Sequence, residues 1–412
     1  MAIFSAVIGL IISGSVSFFA ESSATAGNFS KIESTGKLLP AGFSSWGDLM
    51  RVQARLDVEA DKVSNAPDAR RGGYSSIVVS AEKNRLRIYW KGVVPLSVRS
   101  VIDRIPSDIA VEVLQAPYSL QDLKAAMAEI AEGSSSIGAR ISQISPKLDG
   151  TGLKAVVVGD LQSAQSIPSI KQSPVPVSLE AGVHLAPTIG DVTTISRKTD
   201  SSPFKGGSLY YAPGKCSTGF AVRIAPGGPT GMMTAAHCTW VSDVVRVGGP
   251  TAPPVGEVIK RENSRDVAVI DMPSAARVYR GGVNSMQSTK VTAALGTYVG
   301  DWVCTGGART GEHCMIVIDA VEVNDLGSTP KLYGLASGVQ WQGGIAVALG
   351  DSGGPVFSPS EDNTALAAKG IIARAGIPVP CIEPGVNECY NRVAFQPIGN
   401  ALGALGVALR TD

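Results

Sequence analysis

The 412-residue chain carries 36 basic and 35 acidic side chains, a net charge of +1, with 47 glycines, 25 prolines and only 17% charged residues. So even a balance, without a basic stripe, excludes the phosphate-tracking surface that nucleic-acid binding requires. The length accommodates two or three units, and the glycine and proline content suits a turn-rich β protein.

Residues 1–20 hold no ionisable side chain, Glu21 being the first. This apolar run, followed by small residues at Ala20, Ala24 and Ala26, reads as a signal peptide over 1–26 with Ala24–Ala26 as an A-x-A cleavage site, and hence as export to the extracellular space. A retained anchor is the alternative, because no Lys or Arg precedes the apolar core; Gly9 and Gly14 weaken it. Residues 27–161 predict a small α+β unit. Its elements are a helical pattern near Trp46–Val63, a hairpin of SSIVVS and RLRIYW across the turn EKN, and a strand over Leu153–Asp160. Between them SLQDLKAAMAEIAEG predicts an amphipathic helix, with Ser119 as N-cap and Gly133 past its end. The unit has no cysteine and no chemistry-bearing motif. Residues 162–203 carry SIPSIKQSPVPVSLE, LAPT and KTDSSP, whose prolines and serines prevent a continuous helix or a central strand and mark a linker.

From Leu209 onward short β-type runs alternate with glycine and proline turns: GFAVRIA, GMMTAAH, VVRVGG, VGEVIK, DVAVIDM, TYVGDWVC, HCMIVIDAVEV, PVFSP and AAKGIIARAG. Runs this short fit two antiparallel barrels packed together. The final QPIGNALGALGVALR reads as a helix opened by Pro397, with Ile398, Leu402, Leu405 and Leu409 on one face.

The chemistry gathers around GDSGGP, Gly350 to Pro355. A serine between glycines suits a tight turn that exposes a hydroxyl and aims the N–H groups of Gly350 and Ser352 at one point, a nucleophile and an oxyanion hole together. A glycine-rich turn with an incidental serine is the plainer alternative. Serine needs a base, and the chain has only three histidines. His184 lies in a proline-bearing stretch and His313 beside Cys314, whereas His237 follows an apolar run in MMTAAHC, where a buried strand meets a pocket. Asp266 opens DVAVID, a buried-strand pattern with a carboxylate at its start; Asp271 closes it at an odd offset and faces the other way. A solvated strand-end aspartate or a core histidine are the structural alternatives.

Together TAAHC, DVAVID and GDSGGP, in the order His237, Asp266, Ser352, resemble the chymotrypsin-like (trypsin-fold) serine peptidases. The likeness runs from roughly Pro203 to the C-terminus. KCSTGFAV, VCTGGARTGEHC and FQPIGNALGALGV make it most like the secreted bacterial streptogrisin and α-lytic type. The resemblance implies an all-β double antiparallel β-barrel with a C-terminal helix over 204–412, preceded by a small α+β pro-domain that aids folding and inhibits. An accessory binding domain is the alternative for that unit. It also implies acyl transfer to Ser352, with His237 moving the proton and Asp266 orienting it. No cofactor or metal is expected; the partners are a protein or peptide substrate and the chain's own propeptide, and the enzyme is a monomer. An activation cut is expected within Lys198–Lys205.

Six cysteines in an exported chain argue for disulfides, and sequence neighbours suggest Cys216 with Cys238, Cys304 with Cys314 and Cys381 with Cys389. The first two match positions bridged in the bacterial type; the third does not. By resemblance Ala346 lies at the base of the specificity pocket and Ala373 and Ala375 line the substrate strand. With no aspartate at 346, an apolar or small side chain before the cut is expected rather than Lys or Arg; Glu388 could reach the pocket. Two departures stand out. Asp351 needs a buried partner, for which Arg309 or a new N-terminus are candidates, and Ala373 replaces a serine that commonly supports the triad aspartate, leaving Asp266 looser. An inactive, ligand-binding member of the fold and an esterase are the rival functions.

Overall fold

Helical periodicity of apolar residues near the N-terminus gives way to strand alternation further on, and the computed structural model follows that division. It describes residues 39–412 apart from 41, 70, 71, 137, 183, 188–196, 383 and 384. The expected signal peptide lies outside the described residues. No described helix is long and apolar enough to cross a membrane.

The first helix, Trp46–Ser64, begins at Ser45, whose hydroxyl accepts the Asp48 N–H at 3.1 Å, and turns Leu49, Leu56, Ala60 and Val63 inward. It packs on the antiparallel strands Tyr74–Ser80 and Arg85–Trp90, which bury alternate residues. A helix over Leu96–Ile102 then returns the chain to a third strand, Ala110–Gln115, parallel to the second. This last strand escaped the sequence reading because it is a short, largely exposed edge in which only Val111 and Val113 reach the core, and those only in part. A second small layer contains the helix Leu120–Glu132, capped by reciprocal hydrogen bonds between Ser119 and Asp122. Strands Ala139–Pro146 and Leu153–Gly159 lie in the same layer.

The stretch expected to be linker is partly folded. Leu161–Gln165 and Pro168–Lys171 are short helices, and Val177–Ala181 adds a parallel edge strand to Leu153–Gly159. The activation window Lys198–Lys205 is anchored at its flanks, with Thr199 and residues 201–203 exposed: just before it Arg197 is fully buried and donates to the carbonyls of Gly307 at 3.2 Å and Gly281 at 2.5 Å. Asp200 receives hydrogen bonds from Ser208 Oγ at 2.6 Å and Tyr279 Oη at 2.8 Å.

The remainder is mostly β. An eight-stranded sheet places Thr230–Thr234 and Val267–Asp271 side by side, and a larger sheet contains Trp302–Gly307, Pro355–Pro359, Ala365–Val379 and Cys389–Pro397. The C-terminal helix is shorter than its apolar pattern suggested. It spans Ile398–Leu405 and stops where Gly406 turns left-handed at φ 60°, so Leu409 leaves the helix for a two-residue strand against Val222.

One buried ionic cluster ties the first helix to the large sheet. Lys369 Nζ lies 2.6 Å from Asp57 Oδ2, 3.1 Å from Asp301 Oδ2 and 2.7 Å from the Gly296 carbonyl, and the three charged side chains are fully buried. Gln53 Nε2 donates to both carboxylates, at 2.5 and 3.0 Å. Burial, then the neighbouring Asp57 charge, pushes the Asp301 carboxyl well above its ordinary range against the pull of Lys369. Burial likewise disfavours the Lys369 cation, but Asp301 and Asp57 outweigh it and raise its pKa. Lys369→Met would leave two carboxylates buried without their cation. We expect a loss of about 3–5 kcal/mol, read as a lower urea midpoint at unchanged slope; an unchanged midpoint would show that the cluster stabilises nothing.

Candidate active site

Strand geometry brings the three residues singled out from the sequence into one place. His237 sits in a single helical turn, Ala236–Cys238, directly after the strand Thr230–Thr234. The Cys216–Cys238 disulfide holds the end of that turn. Asp266 precedes the neighbouring strand Val267–Asp271 in a left-handed conformation, φ 52°, which aspartate tolerates better than most residues. Its carboxylate is buried, whereas Asp271 at the other end of the strand is exposed.

Ser352 comes from the large sheet, on a loop that Ser217 fixes. The Ser217 N–H donates to the Ser352 carbonyl at 2.8 Å, and its hydroxyl donates to the Gly350 carbonyl at 2.9 Å. Gly350 and Gly353 adopt φ 98° and 81°; a Cβ at Gly353 would lie 2.2 Å from Thr234 Oγ1, so both conformation and space demand glycine there.

His237 Nδ1 lies 2.6 Å from Asp266 Oδ2, and His237 Nε2 lies 2.7 Å from Ser352 Oγ. The backbone N–H of His237 donates to Asp266 Oδ1 at 2.8 Å. An ionised carboxylate only accepts, so it selects the tautomer with the proton on Nδ1 and leaves Nε2 to accept from the serine hydroxyl. Burial alone would raise the Asp266 carboxyl. The His237 charge and hydrogen bonds, followed by Arg374, reverse that and hold it below its ordinary range. The arrangement can deprotonate a hydroxyl and stabilise the imidazolium that results.

Arg374 is the residue that sequence reasoning missed. Ala373 offers no hydroxyl, yet Asp266 is not loosened, because Arg374 Nη1 donates to Asp266 Oδ2 at 2.7 Å. The motif GIIARAG contained the signal, a charged side chain within an otherwise apolar central strand.

Asp351 is also satisfied otherwise than expected. It accepts from the N–H groups of Arg309 at 2.9 Å, Thr310 at 3.1 Å and Ala348 at 2.9 Å, and from Thr310 Oγ1 at 2.6 Å. The Arg309 guanidinium instead donates to the Gly385 carbonyl, so Arg309 serves through its backbone. Room for this comes from Gly307, where a Cβ would lie 1.9 Å from Asp351 Oδ1.

Ala346 is fully buried among Val303, Ile316, Val356 and Val393, and its carbonyl accepts from Thr305 Oγ1 at 2.6 Å. Glu388 is exposed and receives the Tyr390 hydroxyl at 3.0 Å. Ala373 and Ala375 lie fully buried in the strand Ala365–Val379, and the short strand Ala186–Pro187 pairs antiparallel with Arg374 and Ala375. Leu185, just before it, is buried against Val323, Leu332, Leu335, Ala373 and Ala394. His184 Nδ1 stands 3.8 Å from Asp325 and takes no part in the triad arrangement, and His313 lies in the strand Gly311–Asp325. The six cysteines form Cys216–Cys238, Cys304–Cys314 and Cys381–Cys389.

No protein-family profile matches the chain. Streptogrisin-C of Streptomyces griseus is 29% identical over 254 residues, 58% of this chain and 48% of that protein, so the chain spans about half the length of this curated relative. Among solved structures, protease A of Thermobifida fusca is 27% identical, with a TM-score of 0.39, over 50% of this chain and 98% of that one. The Nocardiopsis protease is 25% identical at the same TM-score and the same two coverages.

Proposed function

We propose that this relative of chymotrypsin-like bacterial serine peptidases is itself a serine-type endopeptidase, cutting peptide bonds through an acyl-enzyme on Ser352. The observation that carries the reading is the unbroken chain of short contacts Asp266–His237–Ser352; the match to a streptogrisin supports it. In this reading Ser352 attacks the substrate carbonyl, His237 takes the hydroxyl proton and returns it to the leaving amine, and Asp266 holds the imidazole and stabilises its charge. The N–H groups of Gly350 and Ser352 receive the developing oxyanion. An inactive, ligand-binding relative would normally lack one of the three side chains, and all three are present.

The fold we propose for 204–412 is the double antiparallel barrel with its C-terminal helix, the N-terminal α+β unit acting as a propeptide. The pairing of Ala186–Pro187 with Arg374–Ala375 supports a zymogen whose own linker lies along the substrate strand, by the same strand addition through which peptides are recognised. We place the activating cut within Lys198–Lys205, where residues 201–203 are exposed between the buried Asp200 and Phe204. Export is supported by three disulfides, which persist in oxidising compartments. The enzyme is proposed to work as a monomer without a cofactor.

A fluorophosphonate is expected to label the wild-type chain and to leave Ser352→Ala unlabelled; equal labelling of both would dismiss the mechanism. Asp266→Asn should lower kcat by about 10⁴-fold through the wrong tautomer, and activity within tenfold of wild type would remove Asp266 from the triad.

Ala346 packs with Val303, Ile316, Val356 and Val393 and is itself no acidic partner for a cation, so cleavage after apolar or small residues is expected in a mixed-peptide digest. A digest cut chiefly after Lys or Arg would refute that pocket.

Leu185→Asp, which places a charge in the apolar site of the linker, should speed phosphonate labelling of the full chain by about tenfold or more, since burying one leucine is worth a factor of that order. An unchanged rate would mean that the linker does not restrict the site.

A further inference from the structure

We propose that Arg374 is a positioning residue for the triad, fixing the Asp266 carboxylate, and that Asp325 is the counter-charge that makes a cation tolerable there. This rests on the peptidase reading above. Asp266 offers two oxygens. Oδ1 accepts the His237 backbone N–H, while Oδ2 accepts the ring N–H at 2.6 Å and Arg374 Nη1 at 2.7 Å. The guanidinium therefore binds the same oxygen that orients the imidazole. Arg374 is only 4% exposed, and its Nη1 also donates to the Ala373 carbonyl at 2.9 Å, so the fork is anchored to its own strand. A planar, pre-organised guanidinium with these anchors fixes a carboxylate with little further loss of freedom.

The cation carries a drawback for catalysis. Nη1 lies 3.2 Å from His237 Nδ1, and a positive charge at that distance opposes the imidazolium formed when Ser352 gives up its proton. Asp325 offsets it from the far side. Its Oδ2 stands 3.6 Å from Arg374 Nε, and Ser328 Oγ accepts from the same Nε at 3.3 Å. Asp325 is fully buried and held by the N–H groups of Gly327 at 3.1 Å and Ser328 at 3.3 Å, and by the Ser328 hydroxyl. The row Asp325, Arg374, Asp266, His237 thus alternates in charge once the imidazole is protonated. Arg374 positions, and Asp325 keeps that positioning from working against proton transfer.

The test uses the full chain after its activating cut, with active sites counted by fluorophosphonate labelling, and a peptide that the cut wild type cleaves. Arg374→Ala is expected to lower kcat by about 10- to 100-fold at a KM within about twofold, the worth of one charge-assisted hydrogen bond. Methylguanidinium added to that variant should restore part of kcat, which a merely misfolded protein would not allow, and Arg374→Lys should lie between the two. In an Asp266→Asn background, Arg374→Ala should cost less than about threefold, because the two act as one unit. Asp325→Asn should lower kcat although Asp325 touches none of the three triad residues. A raised KM at unchanged kcat would overturn the proposal by making Arg374 a substrate contact. Equal losses with and without the Asp266 carboxylate, and no rescue, would overturn it by making the role structural. If the wild type neither labels nor cleaves, the peptidase reading fails, and the positioning role fails with it.

Discussion

A charged carboxylate buried to 2% exposure is the constraint from which the arrangement at the site follows. Removing Asp266 from water is costly unless its oxygens are filled by donors, and two elements converge to fill them. The turn after Thr230–Thr234 supplies both a backbone N–H and an imidazole, the strand Ala365–Val379 supplies a guanidinium, and the left-handed backbone at 266 aims the carboxylate at all of them. Take away any one, and the remaining donors face a carboxylate that is free to rotate. The imidazole would then lose the hydrogen bond that decides which nitrogen meets Ser352. Local strain at one residue is in this way exchanged for a fixed tautomer at the imidazole it contacts.

The same logic of paired buried charge operates between the N-terminal region and the rest. Asp57, on the first helix, reaches Lys369 in the large sheet, and Trp302 of that sheet packs within 5.2 Å of Trp46 and 5.5 Å of Trp341. Strand pairing adds a backbone link, with Asn324 and Asp325 opposite Ile144 and Gln143. The N-terminal region thus adjoins the Asp325 strand on one side, and the linker strand at Ala186–Pro187 adjoins Arg374 on the other. Release of the N-terminal region would uncover an aromatic surface and leave Lys369 with Asp301 and the Gly296 carbonyl, without Asp57. That is a reason for the two parts to remain associated after any cut in the chain between them.

Legibility in the sequence follows from how strongly each element's pattern is imposed by burial. The hairpin at 74–90, the Ser119 helix and the run DVAVID could be read because alternate or periodic apolar residues face a core. Ala110–Gln115 and Val177–Ala181 were missed because they are short edge strands whose apolar residues are at most half-buried, the second following directly on Pro174 and Pro176. The Cys216, Cys304 and Cys381 pairings followed sequence neighbours that the fold also brings together. His237, Asp266 and Ser352 were legible by motif and order. Arg374 was not, because a strand face is fixed by periodicity only while the pairing is regular, and the register shifts between Ile372 and Arg374. The bulge there makes the usual alternation an unreliable guide to where the guanidinium points.

The treatment of Asp351 bears on how the proposed zymogen would be held in check. A buried carboxylate beside the serine loop is costly unless donors or a cation fill it, and an amino terminus freed by a cut is one candidate partner. Here three N–H groups and one hydroxyl already fill it in the uncut chain. Four such donors fill the carboxylate oxygens without a formal positive charge. A new ammonium would have to displace donors that are already in place, and would gain little by doing so. The loop carrying Ser352 is therefore formed before any cut, and the short distance from His237 Nε2 to Ser352 Oγ in the same uncut chain agrees with that. In the proposed zymogen, restraint of the site would then come from what lies over it rather than from a disordered nucleophile, with the strand along Arg374 and Ala375 as the element to move.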